Sequence, residues 1–147
     1  MATESETIVR RWFAEVWNAR DLDRIQELWA SDGIAYGLAE GGADDVHGPE
    51  EFRRFVETML GEWDDFQIDV QDVIAQGDRA AVRWVARGNY RGAALAPDAP
   101  KGQPVRMTGM TMARVANGQI VEGWNNWDIM GMMQQLGAPP AVAKLLE

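Results

Sequence analysis

Residues 109–137, GMTMARVANGQIVEGWNNWDIMGMMQQLG, carry the reading that decides the fold. Apolar and polar residues alternate along Val105 to Val115 and again along Gln119 to Trp127, the period of two that belongs to strands. Ala116-Asn117-Gly118 between them supplies a hairpin turn. Asp128 then precedes a helical segment, Ile129 to Leu136, closed by Gly137, and Pro139-Pro140 forbids its continuation. The register of this hairpin matters. A three-residue loop at 116–118 puts Thr111, Gly123, Asn125 and Trp127 on one face, whereas a two-residue turn at Asn117-Gly118 sets Asn125 opposite Met110. Met110, Met112, Ile120 and Trp124 are read on one face, and Ala113, Val121 and Trp127 on the other. A sheet that is apolar on both sides needs two covers.

Working outward, Phe66 to Ile74 and Ala80 to Tyr90 alternate in the same way around Gln76-Gly77-Asp78-Arg79, which predicts a second hairpin. A loop rich in Ala, Pro and Gly, Gly92 to Pro104, joins the two. Ahead of them the period is helical. Ile8, Trp12 and Val16 form one line and Val9, Phe13 and Trp17 the next, the spacing of a helix over Thr7 to Asn18 with one broad apolar face. Asp21 heads a short second helix in which Leu22, Ile25, Leu28 and Trp29 recur, ended by Ser31-Asp32-Gly33. Ile34 to Leu38 reads as a short strand and Ala39 to Gly48 as a loop. Pro49 suits the first turn of a third helix, whose stripe is Phe52, Phe55, Val56, Met59 and Leu60 and which Gly61 stops. Helices first and antiparallel strands afterwards describe an α+β domain with helices covering one sheet face. The other cover is expected to be a second copy of the sheet, making a homodimer.

The length of 147 residues suits one domain, 1–147, and no internal repeat is visible. With 14 basic against 23 acidic side chains the net charge is −9, and Lys101 is the only lysine before the C-terminal tail. That excludes the clustered cations on which nucleic-acid binding depends. The absence of cysteine excludes disulfides, thiolate metal sites and a cysteine nucleophile. No stretch approaches the roughly 20 apolar residues of a membrane span. MATESETIV has neither the basic start nor the apolar run of a signal peptide, so no membrane partner is expected and the expected location is cytoplasmic. The chain carries 7 Trp and 8 Met, side chains that fill a core or line a cavity for a flat aromatic ligand.

NARDLDRIQELWASD (18–32), HGPEEFRRFV (47–56) and the stretch 109–137, in the order helix, helix, short strand, helix, long hairpins, resemble the SnoaL-like polyketide cyclases. These share the wider cone-shaped fold of nuclear transport factor 2, scytalone dehydratase and ketosteroid isomerase. The resemblance covers nearly the whole chain. It implies a curved, mainly antiparallel sheet shaped as a cone, N-terminal helices on its concave face and a short C-terminal helix. It also implies a deep apolar pocket for an aromatic polyketide-like small molecule, with no metal and no organic cofactor. Such cyclases close a ring by intramolecular aldol condensation, with an Asp on the last strand as general acid and base. A carboxyl in an apolar pocket has its pKa raised toward neutrality, as that work requires. Matched onto this chain, the position of the Asp is Asn125, and that of a His often found on the neighbouring strand is Thr111, which favours the three-residue loop at 116–118 over the two-residue turn.

An amide does not exchange a proton in this way, but its NH₂ donates to a developing enolate oxygen. The enolate of an anthrone-like or reduced quinone substrate reacts with dioxygen directly, and relatives of the cyclases act as cofactor-free polyketide hydroxylases. The expected reaction is therefore cofactor-independent hydroxylation, with aldol cyclisation as the alternative and non-catalytic ligand binding as a third reading. Ketosteroid isomerases are similar through the first two helices, but Trp12 stands where they place an oxyanion Tyr, and their Asp falls near Gly37. Of the Asp, Arg, Asp set of limonene epoxide hydrolases, the match to Arg83, Val85 and Asn125 keeps only the Arg.

Two further residues are candidates for proton chemistry. Asp128 is the nearest carboxylate; its place before Ile129-Met130-Gly131 is also that of an N-cap, and alternation puts it on the face opposite Asn125. His47, the only histidine, immediately precedes the third helix, begun by Gly48-Pro49, and is a candidate proton carrier. One histidine, and an Asp44-Asp45 pair without a third ligand at a recognisable spacing, predict no metal site. Substrate contacts are expected from the Tyr36 hydroxyl, from Thr111, and from Trp12 and Trp127 as an aromatic sandwich. Arg83 alternates with Arg87 and Asn89 on one face of its strand, against Trp84 and Ala86 on the other. Facing inward, it would hold a substrate carboxylate or enolate.

Overall fold

The computed structural model describes residues 1–38 and 45–137. Helix α1 (Glu4–Arg11) runs on into a wider π-helical segment, Trp12–Asn18. There follow α2 (Arg24–Leu28), β1 (Trp29–Tyr36), β2 (Val46–His47), α3 (Gly48–Gly61), β3 (Trp63–Gln76), β4 (Arg79–Tyr90), β5 (Gln103–Ala116), β6 (Gln119–Trp127) and α4 (Ile129–Gln135). The six strands form one curved, unclosed sheet in the order β2-β1-β6-β5-β4-β3. Strand β1 runs parallel to β6, and the other neighbouring pairs are antiparallel. The α+β class and the helices on the concave face agree with the expectation from sequence.

The first helix starts earlier than its apolar pattern and loosens later. Thr3 caps it by accepting from the Glu6 N–H at 3.2 Å. From Trp12 the turns widen, and the Ala19 N–H reaches back to Ala14 C=O at 2.9 Å, a five-residue step. Trp12, Phe13, Val16 and Trp17 are all buried there, one aromatic on the first apolar line and two on the second. The second helix is shorter than expected, because Trp29 leaves it to pair with Ile120 of β6.

The last hairpin corrects the sequence reading in one step and keeps its consequence. The turn has two residues, Asn117 and Gly118, at φ 52° and 74°, and Ala116 pairs with Gln119. Taken alone, that register would set Asn125 opposite Met110. Instead β6 carries one extra residue, Val121, between the pairs Val115↔Ile120 and Arg114↔Glu122. This bulge shifts the alternation by one residue and brings Thr111 opposite Asn125. It also turns Ile120 inward, where it is buried, and not onto the face of Met110, Met112 and Trp124.

The core lies between the concave face and the helices. Trp12, Trp29 and Phe52 meet there with ring centroids 4.6–5.1 Å apart. Met132 of α4 and Leu136 just after it are also buried in it. Pro139-Pro140 and Asp44 lie outside the described residues. No helix among the described residues is long and apolar enough to cross a membrane.

Candidate functional site

Inward-facing residues of five strands and the first and third helices enclose a cavity with about 70 Å³ of free space. Its walls are almost entirely aromatic and aliphatic. Trp12, Phe13 and Trp17 come from the π-helical segment, Phe52, Phe55 and Met59 from α3, and Phe66, Ile68, Trp84, Ala86 and Met107 from the sheet. The polar side-chain atoms at one end belong to Trp84, Thr111, Asn125 and Trp127.

Three of these groups form a hydrogen-bonded chain. The Trp84 Nε1–H donates to Thr111 Oγ1 at 3.0 Å, and the Thr111 hydroxyl donates to Asn125 Oδ1 at 2.8 Å. Asn125 Nδ2 donates to the backbone carbonyl of Tyr36 at 3.0 Å. Alternation explains the convergence: Trp84 on β4, Thr111 on β5 and Asn125 on β6 all point to the concave side. The Tyr36 carbonyl arrives because β1 turns at Gly37, with φ +78°, and any Cβ there would run into the Asn125 carbonyl. Trp127 Nε1 donates separately to Leu38 C=O at 3.3 Å.

Of the residues singled out from sequence, the cavity unites Trp12, Thr111, Asn125 and Trp127. Trp12 packs against Trp29 and Phe52, so it forms wall with them and makes no isolated pair with Trp127. The Tyr36 phenol lies outside the cavity. It stacks on Trp124 at 5.9 Å and faces Glu122, and desolvation, followed by that carboxylate's charge, raises its pKa. Arg83 is exposed on the convex face and pairs with Asp72, its Nε donating at 2.8 Å. His47 is exposed at the start of α3, its backbone N–H bonded to Glu51. Asp128 caps α4, accepting from the Gly131 N–H at 2.8 Å, and borders a shallow groove on the convex face with Arg83, Arg106 and Asn126.

Sequence reasoning missed two contributors. Trp84 was set only on the face opposite Arg83, although alternation from Val82 to Ala86 already placed it inward. Its indole lies over Gly109, where any side chain would overlap the ring, and that glycine opposite a Trp was the available signal. The Tyr36 carbonyl gave no signal, since a backbone group is invisible to a reading of side chains. Among the described residues no group of three or more His, Asp or Glu side chains is placed to hold a metal ion.

The family model described as SnoaL-like polyketide cyclase matches residues 7–136. No curated protein matches the chain. Among solved structures, IdmH from Streptomyces antibioticus, a candidate polyketide cyclase, is 30% identical with a TM-score of 0.77, covering 92% of this chain and 99% of its own. A candidate SnoaL-like polyketide cyclase from Jannaschia sp. CCS1 is 25% identical with a TM-score of 0.79, over 93% and 94% of the two chains. AclR from Streptomyces galilaeus, a candidate hydroxylase, shares the fold at 24% identity and a TM-score of 0.78, over 97% and 91%.

Proposed function

Because this chain belongs to the SnoaL-like polyketide cyclase family, we propose that it is a polyketide-tailoring enzyme in which Asn125 donates from Nδ2 to the enolate oxygen of an aromatic polyketide-like substrate. One observation carries the reading. The cavity meets its ligand with a carboxamide, and none of its described lining residues has an ionisable side chain. Aldol closure moves one proton off carbon and another onto an alkoxide, which asks for a group that titrates. Holding an enolate asks only for a donor. The preferred reaction is therefore cofactor-independent hydroxylation, ahead of aldol closure and of binding without turnover.

An anthrone-like substrate is the keto tautomer of a phenol and loses its C–H proton to solvent, leaving the enolate. Its carbanion bonds to dioxygen and, with one proton, becomes a hydroperoxide. Where that carbon keeps a hydrogen, loss of water breaks the O–O bond and leaves a carbonyl, one oxygen atom going to product and one to water. Reduction of the hydroperoxide to an alcohol instead takes two electrons and two protons from a hydroquinone, the reduced form of a quinone substrate. The free space of about 70 Å³ holds about five waters, room for a single ring beside Asn125. Further rings would extend past the half-buried Leu38, Phe55 and Met59.

Anthrone as probe and an oxygen electrode test this. Asn125→Ala is expected to lower kcat by about 10²–10³, the usual cost of removing one oxyanion donor, while tryptophan quenching by the probe persists. Unchanged oxygen uptake would refute the assignment. Loss of water from an open polyketide without oxygen uptake would assign ring closure.

The same reading takes the enzyme as a cytoplasmic homodimer joined through the convex face. Ile74, Met110 and Met112 stand there 75%, 56% and 44% exposed, beside Trp124 with Arg79 over its ring. Met112→Asp is expected to yield monomers in sedimentation; a monomeric wild type would refute the dimer.

A further inference from the structure

The polar end of the cavity has a direction, and residues other than Asn125 set it. The Trp84 Nε1–H only donates, so Thr111 Oγ1 accepts from it and its own hydrogen turns to Asn125 Oδ1. The Tyr36 carbonyl only accepts, so it takes Nδ2–H. The two ends of the chain thus select the same one of the two ways a carboxamide could lie. One Nδ2 hydrogen then remains without a protein partner among the described residues. It sits on the cavity side, since Nδ2 lies 3.9 Å from where a Cβ would stand at the cavity-lining Gly123. A side chain at 123 would stand between that hydrogen and Trp29, whose Cη2 is 3.4 Å from the same point.

We propose that Trp84 is a positioning residue for Asn125: its indole N–H aims the Thr111 hydroxyl, so that the amide shows its N–H, and not its oxygen, to the ligand. The recognised group is then an acceptor oxygen, a carbonyl or an enolate. This rests on Asn125 being the enolate donor, but its first test needs no substrate. The hydroxyl of Thr111 spends its hydrogen and one acceptor site inside the protein, so Thr111 acts on the ligand through Asn125.

Three variants of the full chain separate aim from packing. Trp84→Phe keeps a ring over Gly109 and removes the donor; Thr111→Val removes the relay; Thr111→Ser keeps it. In nitrogen–proton correlation spectra without ligand, the Asn125 Nδ2 proton bonded to Tyr36 is expected to exchange slowly in wild type and Thr111→Ser. It should exchange at least about tenfold faster in Trp84→Phe and Thr111→Val, in line with the loss of one hydrogen bond. A carboxamide unchanged in both of the latter overturns the proposal, whatever the substrate is. With anthrone and an oxygen electrode, Trp84→Phe is expected to lower kcat about tenfold with KM within about twofold, and only Ser at position 111 should keep the wild-type rate. A raised KM at constant kcat would mark a packing role and overturn it as well. Should Trp84→Phe fail to fold, the Val and Ser pair decides alone. A wild type that consumes no oxygen defeats the hydroxylase reading and leaves the carboxamide spectrum to decide the role of Trp84.

Discussion

Two polar clusters of this apolar domain differ in what they leave over. At one end Glu62, just after α3, accepts through Oε1 from the Tyr90 hydroxyl and from the backbone N–H groups of Ala94 and Leu95, at 2.9–3.1 Å. The Tyr90 oxygen in turn accepts from the N–H groups of Leu95 and Ala96 at 3.1 and 3.0 Å. Tyr90 is fully buried, and its hydroxyl's hydrogen and both acceptor sites are spent on pinning the β4–β5 loop. At the other end, the chain from Trp84 to Tyr36 ends with one amide hydrogen unspent, against a cavity. Saturation marks a structural clasp, and an unspent donor aimed at free space marks a site. Both clusters are polar groups held in apolar surroundings, so burial alone would not tell them apart.

The sharpest break of this comparison is a crossed pair of variants. Asn125→Ala should remove most activity, with a stability loss of about 1–3 kcal/mol from the Thr111 hydroxyl and Tyr36 carbonyl it leaves unpartnered. Tyr90→Phe should lower stability alone. It strips the Ala96 N–H of its partner and leaves the Leu95 N–H and the Glu62 carboxylate one hydrogen bond poorer, at a cost of about 2 kcal/mol, read by denaturant melts, with kcat unaltered. A pH arm sharpens it. Desolvation is the main cause that raises the Tyr90 pKa, with Glu62 adding to it. The folded chain therefore resists ionising Tyr90 where the unfolded chain does not. Its contribution is complete below pH about 10, the ordinary tyrosine value, and is lost as pH rises through the raised folded value. Wild type should lose stability more steeply above pH about 10 than Tyr90→Phe; parallel profiles would show that the clasp is not set by ionisation.

Much of the fold and half of the polar chain were legible in the sequence, and the remainder has identifiable causes. Periodicity located the helices and both hairpins, because burial on one face leaves a spacing that survives without coordinates. Asn125 and Thr111 came from the resemblance to a family, and strand register then had to unite them. The register inferred was correct although the turn inferred was not, since the bulge at Val121 restores what the two-residue turn at Asn117-Gly118 would have lost. A bulge in a stretch such as Gln119-Ile120-Val121-Glu122 leaves no compositional mark. Arg83 was a different failure: alternation fixed which residues share its face and left open which way that face points. Ion pairs from Arg83 to Asp72 and from Arg87 to Asp69 answer that the face is convex and solvated. The clasp went unseen because Glu62 and Tyr90 act on backbone groups of a loop with no periodicity of its own.

The smallest expected effect concerns Asp128, which sits where cap and catalyst look alike in sequence. Its Oδ1 accepts the Gly131 N–H, and any Cβ at 131 would meet its carboxylate, so the glycine is what lets the cap close. Its own N–H is tied to Thr108 C=O at 2.9 Å, which fixes the junction between β6 and α4. A capping role is indifferent to charge, because Asn accepts from a backbone N–H nearly as well as Asp, whereas Ala does not. Asp128→Ala should cost about 1 kcal/mol of stability and Asp128→Asn only a fraction of that, with both keeping wild-type kcat toward anthrone. A proton-transferring carboxylate predicts the opposite order, Asn failing in activity as badly as Ala while the melting curve hardly moves. Denaturant melts and oxygen uptake on the same two proteins decide between the roles, and a loss of kcat in Asp128→Asn would return Asp128 to the chemistry.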